Sequence, residues 1–198
     1  MNEISRQLVH LSGVLFVILA QFMESLVASA TFFLIALTFL LYSLYIRNEE
    51  KLLERFIGTF EKKVRKIAYR FERQGIPFQG AFWFYFSCGI SFLIFPHTIA
   101  TAATLILSVS DSLATLVGKH FGRTRLLEDK TLEGTLVFLL SSLVISYHFF
   151  PSGFLLGAIA ATLGEVVPGF FPRLREKGIL DDNLLIPLFA GAIFLLGT

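Results

Sequence analysis

The chain has 198 residues, of which 55% are hydrophobic, 15% aromatic and 16% charged, with a mean hydropathy of +0.71. Soluble domains carry about 25% charged residues, so the composition excludes an ordinary water-soluble globule and points to a lipid bilayer as solvent. A net charge of +2 says little by itself, since in a membrane protein the placement of Lys and Arg matters; no nucleic-acid partner is expected, and a single cysteine, Cys88, excludes an intramolecular disulfide or a cysteine metal cluster.

In chain order, apolar runs occupy Leu8 to Phe22, Leu26 to Ile46, Phe78 to Phe95, Thr98 to Val117, Leu132 to Phe150, Gly153 to Val167 and Leu184 to Gly197. A bilayer core about 30 Å thick takes roughly 20 helical residues per crossing, and several runs lie near the lower limit. The first run follows a lone Arg6 and ends in Gln21-Phe22-Met23-Glu24. That is neither the basic start nor the small-residue cleavage site of a signal peptide, so it reads as a mature helix. Between the second and third runs, Arg47 to Gln74 mixes nine cations with five acids. Leu52, Leu53, Phe56, Ile57, Phe60, Val64, Ile67, Ala68 and Phe71 recur there at helical spacing. This is an amphipathic helix too charged to span, expected on the membrane surface and ended by Gly75-Ile76-Pro77. The expected fold is all-α: a polytopic membrane helix bundle of about seven transmembrane helices plus this surface helix, in one domain over residues 1–198. Tyr42, Tyr45, Trp83 and Tyr85 read as interfacial aromatic anchors, and His97 and His148 fall at the opposite interface.

Cations set the orientation. Nine of the 17 Lys and Arg fall between Arg47 and Arg73, four between Lys119 and Lys130, three between Arg173 and Lys177, and the last is Arg6. The alternate connections Gln21 to Ser25, Pro96-His97 and Pro151-Ser152 contain none. With seven crossings every basic loop falls on one side, which the positive-inside rule makes cytoplasmic, together with the N-terminus, and the C-terminus falls outside.

Ionisable groups within the apolar runs mark the candidate site. Asp111 sits inside the fourth run, where a carboxylate costs about 2.5–3.5 kcal/mol on insertion scales and so needs a partner or a cavity. At helical spacing Asp111, Thr115, Gly118 and Gly122 share a face with little side-chain bulk. Then come Lys119, His120, Arg123 and Arg125, followed by Glu128-Asp129-Lys130-Thr131-Leu132-Glu133-Gly134-Thr135 at the start of the next helix. Cations, glycines and a helix N-terminus suit a polyphosphate. Neighbouring carboxylates suit Mg²⁺, which takes one or two of them alongside phosphate oxygens and water. No Gly-x4-Gly-Lys-Ser/Thr loop is present. Glu165 ends a small-residue helix, and Asp181-Asp182-Asn183 opens the last run, either as site groups or as N-capping residues. On the deduced topology Asp111, Lys119, Lys130, Glu133, Glu165, Asp181 and Asp182 converge on one face, which suits phosphoryl transfer from a soluble nucleotide to a membrane-embedded alcohol. Arg6 and His10 lie one turn apart at that end of the first helix.

The pattern Asp111-x-x-Ala114-x-x-x-Gly118-x-x-x-Gly122-Arg123, followed by Lys130-Thr131-x-Glu133-Gly134-Thr135, resembles the CTP-dependent polyprenol kinase family of dolichol kinase, phytol kinase and yeast-type diacylglycerol kinase. Glu165, Asp181-Asp182-Asn183-x-x-x-Pro187 and Arg6-x-x-x-His10 extend the resemblance over nearly the whole chain. The resemblance implies a membrane kinase that uses CTP and Mg²⁺ or another divalent cation to phosphorylate a long-chain lipid alcohol. It implies catalytic roles for Asp111, Lys130 and Glu133. Lys119, Arg123 and Arg125 would hold the nucleotide with Gly118, Gly122, Thr131 and Gly134, and Asp111, Glu165, Asp181 and Asp182 would hold the metal. Arg6, His10 and Asn183 would be substrate or accessory groups. Eukaryotic dolichol kinases are much longer, so this chain resembles the compact core of prokaryotic and plastid members, with a prokaryotic plasma membrane the expected location. The alternatives are a CTP:phosphatidate cytidylyltransferase, which releases pyrophosphate, and a diacylglycerol kinase. A small transporter would gather its charges at the midplane between broken helices, and a non-catalytic scaffold gives no reason for Asp111.

Overall fold

A computed structural model describes residues 3–48, 58, 63–66, 78–127, 130–176 and 180–197, with residues 3–11 and 176 described by their backbone alone. Among these residues the chain is all-helical: α1 (Glu3–Ala20), α2 (Ser25–Arg47), α3 (Gln79–Ile94), α4 (His97–Phe121), α5 (Leu132–Phe149), α6 (Phe154–Phe170), the short α7 (Pro172–Glu176) and α8 (Asp182–Gly197). The surface helix expected over Arg47 to Gln74 lies largely outside the described residues. Within it, Arg65 places its guanidinium 5.5 Å from the centre of the Tyr45 ring, a cation–π contact.

Among the described residues three helices are long and apolar enough to cross a membrane: α2, α4 and α5, with 23, 25 and 18 residues. Helices α3, α6 and α8 are apolar but have 16, 17 and 16 residues. At 1.5 Å per residue they extend only about 25 Å, short of a bilayer core of about 30 Å. Seven full-length crossings are therefore not what the helix lengths give. The shorter helices reach across only where the bilayer thins or flanking residues snorkel.

Helix α4 is the hub. In its most apolar window 67% of residues are buried, against 22% for α2 and for α5. Small residues make this possible: Ala100, Ala102 and Ala103 are fully buried, followed by Ile106 and Leu107. The outer helices are two-faced. On α5, Gly134, Phe138, Ser142 and Ser146 point inward at four-residue spacing. Leu136, Leu140 and Val144 recur at the same spacing on the exposed side, as expected of a helix between protein and lipid.

Side-chain contacts sort the connections into two ends. Gln21 Nε2 donates to Thr101 Oγ1 at 2.7 Å, and His97 Nε2 lies 3.1 Å from the Ala20 carbonyl, so the α1–α2 and α3–α4 connections meet. At the other end Leu127 packs on Gly169, and Lys130 reaches both α6 and α8. The α1–α2 and α3–α4 connections thus lie together, and the α4–α5 loop gathers with the Glu165 end of α6 and the start of α8. Tyr85 departs from expectation. It is buried in the core, with its ring edge-on to Phe16 at 5.5 Å and stacked on Phe39 at 5.6 Å, because its face of α3 looks toward α1 and α2 instead of the interface.

Candidate active site

Helix α4 is α-helical at both ends and π-helical over Ile106–Ser110, immediately before Asp111. A π-turn inserts an extra residue into an α-helix and is frequent at functional sites. After this turn, Ala114 and Gly118 of α4 lie against Gly134 of α5. The two helices approach closely: a Cβ added at Gly134 would lie 2.8 Å from the Ala114 carbonyl oxygen and 3.2 Å from the Gly118 Cα. Glycines at 118 and 134 therefore serve backbone contact. The side chain of Thr131 fills the space beside Gly118 and Gly122, and its oxygen accepts from the Gly134 amide at 3.2 Å, capping α5. That niche is occupied by the protein, and a phosphate reaching this loop would meet its edge.

The loop between α4 and α5 folds back on itself. Arg125 and Thr131 form an isolated antiparallel bridge, the Leu132 amide donates to the Thr124 carbonyl at 2.9 Å, and the Leu126 amide donates to the Lys130 carbonyl at 2.9 Å. Its tip, Glu128 and Asp129, is outside the described residues. The fold directs Lys119, Arg123 and Arg125 to exposed positions and turns Lys130 inward.

Lys130 is the centre of the site. Its ammonium donates to Glu165 Oε1 of α6 at 2.6 Å and to Asp182 Oδ2 of α8 at 3.3 Å. The three side chains are 9%, 5% and 12% exposed. Thr135 Oγ1 donates to Glu165 Oε2 at 3.4 Å, tying α5 to the same carboxylate. Burial works against the Lys130 charge. The negative charges of Asp182, Glu165 and Asp111 outweigh it, so the ammonium is held above the ordinary lysine value. Asp111 acts electrostatically on both Lys130 and Glu165. An ammonium has three donors, and among the described residues two of them are used, on Glu165 and Asp182.

Around the start of α8, Asp181 Oδ1 accepts from the Asn183 amide at 3.0 Å and from Asn183 Nδ2 at 2.7 Å, and Asp182 Oδ1 accepts from the same amide at 3.1 Å. Asp181 thus sits before the first turn of α8 and accepts from its Asn183 amide, while Asp182, the first helical residue, also meets Lys130. Asn183 Oδ1 is buried without a protein partner among the described residues. Asp111, Lys130, Glu165 and Asp182 are thus brought together, with Asp181 and Asn183 beside them. Glu133 points elsewhere: both of its oxygens accept from the Thr124 amide, at 3.1 and 3.3 Å. The side chains of Arg6 and His10 are outside the described residues.

No group of three or more His, Cys, Asp and Glu is arranged to hold a metal ion among the described residues. The donors are nevertheless the hard oxygens that Mg²⁺ prefers. One ammonium facing three carboxylates leaves a negative excess that a divalent cation would offset. The residues fit a cation shared with phosphate and do not fit a protein cage.

No family model and no solved structure matches the chain. An uncharacterized protein of Rickettsia prowazekii is 27% identical over 194 residues, covering 94% of this chain and 90% of that protein. An uncharacterized protein of Methanocaldococcus jannaschii is 31% identical over 124 residues, covering 58% of this chain and 57% of that protein. The dolichol kinase of Saccharomyces cerevisiae is 33% identical over 86 residues, covering 42% of this chain and 17% of that enzyme. Over a part of its length, then, this apolar helical chain is similar to a kinase that bears the name of its lipid substrate.

Proposed function

We propose that the chain is a membrane-embedded kinase that transfers the γ-phosphoryl group of CTP to the hydroxyl of a long-chain polyisoprenoid alcohol. The observation that carries this reading is the buried Lys130, held by Glu165 and Asp182 from two other helices with Asp111 acting on it. Maintaining four ionisable groups at the end of an apolar bundle is costly, and such groups in membrane helices serve a ligand or a reaction. The partial likeness to a dolichol kinase supports a lipid alcohol as the ligand.

In this reading the basic loops face the cytoplasm, the bundle crosses the membrane seven times with its shorter helices in locally thinned bilayer, and the membrane is a prokaryotic plasma membrane. Lys119, Arg123 and Arg125 receive the triphosphate from the aqueous side. The third Lys130 donor meets a phosphate oxygen. The alcohol lies between helices with its hydroxyl at the charged end, where Asp111 orients it and takes its proton. The hydroxyl oxygen bonds to the γ-phosphorus as the bond to the bridging oxygen breaks, giving the prenyl phosphate and CDP. Mg²⁺, held by Asp111 and Asp182 together with phosphate oxygens, would supply charge neutralisation on the transferred group.

The test is a detergent assay of the purified protein with CTP and a panel of alcohols: dolichol, shorter prenols, phytol and diacylglycerol. The expected result is CDP formed in step with a phosphorylated prenol. Pyrophosphate as the co-product would identify a cytidylyltransferase, and no turnover with any alcohol would overturn the proposal.

A further inference from the structure

The geometry points to Glu133 as a positioning residue that clasps the α4–α5 loop and shapes it for the nucleotide phosphates, with no part in proton transfer. This inference rests on the kinase reading. A carboxylate in the first turn of α5, three residues after Lys130, has the sequence position of a catalytic base. Its oxygens face the other way. Both accept from the Thr124 amide, at 3.1 and 3.3 Å, across the loop, and the Arg123 amide and the Thr124 hydroxyl lie beside them. The carboxylate therefore fills a nest of backbone donors of the kind that otherwise binds an anion.

The clasp acts where it matters for charge. Thr124 is held twice, by its amide on Glu133 and by its carbonyl on the Leu132 amide at 2.9 Å, and the Arg125–Thr131 bridge follows at once. Arg123 and Arg125 flank this anchored residue, so the Glu133 carboxylate sets where both guanidiniums leave the loop. With Lys130 bound to Glu165 and Asp182, the reacting cluster contains carboxylates enough without Glu133. Removing Glu133 should loosen the cations' grip on phosphate and leave the proton acceptor in place.

The experiment compares Glu133→Ala and Glu133→Gln with wild type by steady-state kinetics over CTP concentration and pH. The expectation is a KM for CTP raised about tenfold in Glu133→Ala, as for loss of a hydrogen bond to a charged group. Part of this should return in Glu133→Gln, whose amide oxygen still accepts from Thr124, and the pH profile of kcat should keep its wild-type shape. Loss of a general base would instead lower kcat about 10²–10⁴-fold in both variants and remove a limb of the profile, which would overturn the inference. Hydrogen exchange at the Thr124 amide supplies a readout without catalysis. It should accelerate in Glu133→Ala, and an unchanged rate would overturn the clasp. A wild-type protein inactive toward every alcohol would count against the kinase reading, while the exchange measurement would still judge the clasp.

Discussion

Replacing Lys130 by Ala removes the one cation shared by Glu165 and Asp182. The three side chains are 9%, 5% and 12% exposed, so solvent does little to screen the two carboxylates left facing each other. Breaking a buried ion pair by deleting one partner costs about 3–5 kcal/mol, because the remaining charge is uncompensated. For a chain of this size each kcal/mol corresponds to about 2–4 °C in Tm, so the variant should melt about 10 °C lower. The chain carries its own reporter: Cys88 is the single cysteine and is buried, so a thiol-reactive dye registers unfolding directly. The deficit should stay constant from about pH 6 to 9. Folding raises the Lys130 value, so its contribution is full below the ordinary lysine value of about 10.4 and fades only as pH climbs beyond it. Adding Glu165→Gln and Asp182→Asn to the Lys130→Ala protein should recover most of the loss. A Lys130→Ala protein that melts with wild type, or a triple variant no better than the single, would show that no uncompensated buried charge is left behind.

Other positions give sharper structural checks. Gly134→Ala drives a methyl to 2.8 Å from the Ala114 carbonyl oxygen and should cost about 1–3 kcal/mol. Gly153→Ala, with open space around its added Cβ, should leave thermal unfolding unchanged. Ser142 is buried on the α5 face toward α4, and its hydroxyl has no partner among the described residues. Ser142→Ala should accordingly be neutral or raise stability by up to about 1 kcal/mol, read by the same dye. Asp111→Ala should abolish product formation in the CTP assay while its melting curve remains cooperative.

The convergence of Lys130 with Glu165 and Asp182 was legible in the sequence because charge is so costly in an apolar chain that its spacing reports topology. Basic loops alternating with neutral ones placed residues 35 and 52 positions apart at one end, where the structure joins them. Helix boundaries followed the apolar runs for the same reason, although α1 starts at Glu3 and α3 is only 16 residues long. The π-helical turn before Asp111 left no trace, since i→i+5 bonding has no side-chain signature and arises from how α4 packs among its neighbours. The enrichment of Tyr in aromatic belts likewise places Tyr85 at an interface that it does not face. The direction of Glu133 is hidden too: a first-turn carboxylate has the same spacing whether it serves the cluster or its own loop, and only the fold that brings the Thr124 amide to it decides.

In the proposed reaction the Lys130 cluster transfers a terminal phosphoryl group from CTP to lipid. CTP labelled at the γ-phosphorus in one reaction and at the α-phosphorus in another, each with a polyprenol and purified protein, tests it directly. Label should enter the lipid from the γ position alone and vanish in Lys130→Ala. Lipid labelled from the α position, or γ-labelling that survives loss of Lys130, would contradict it.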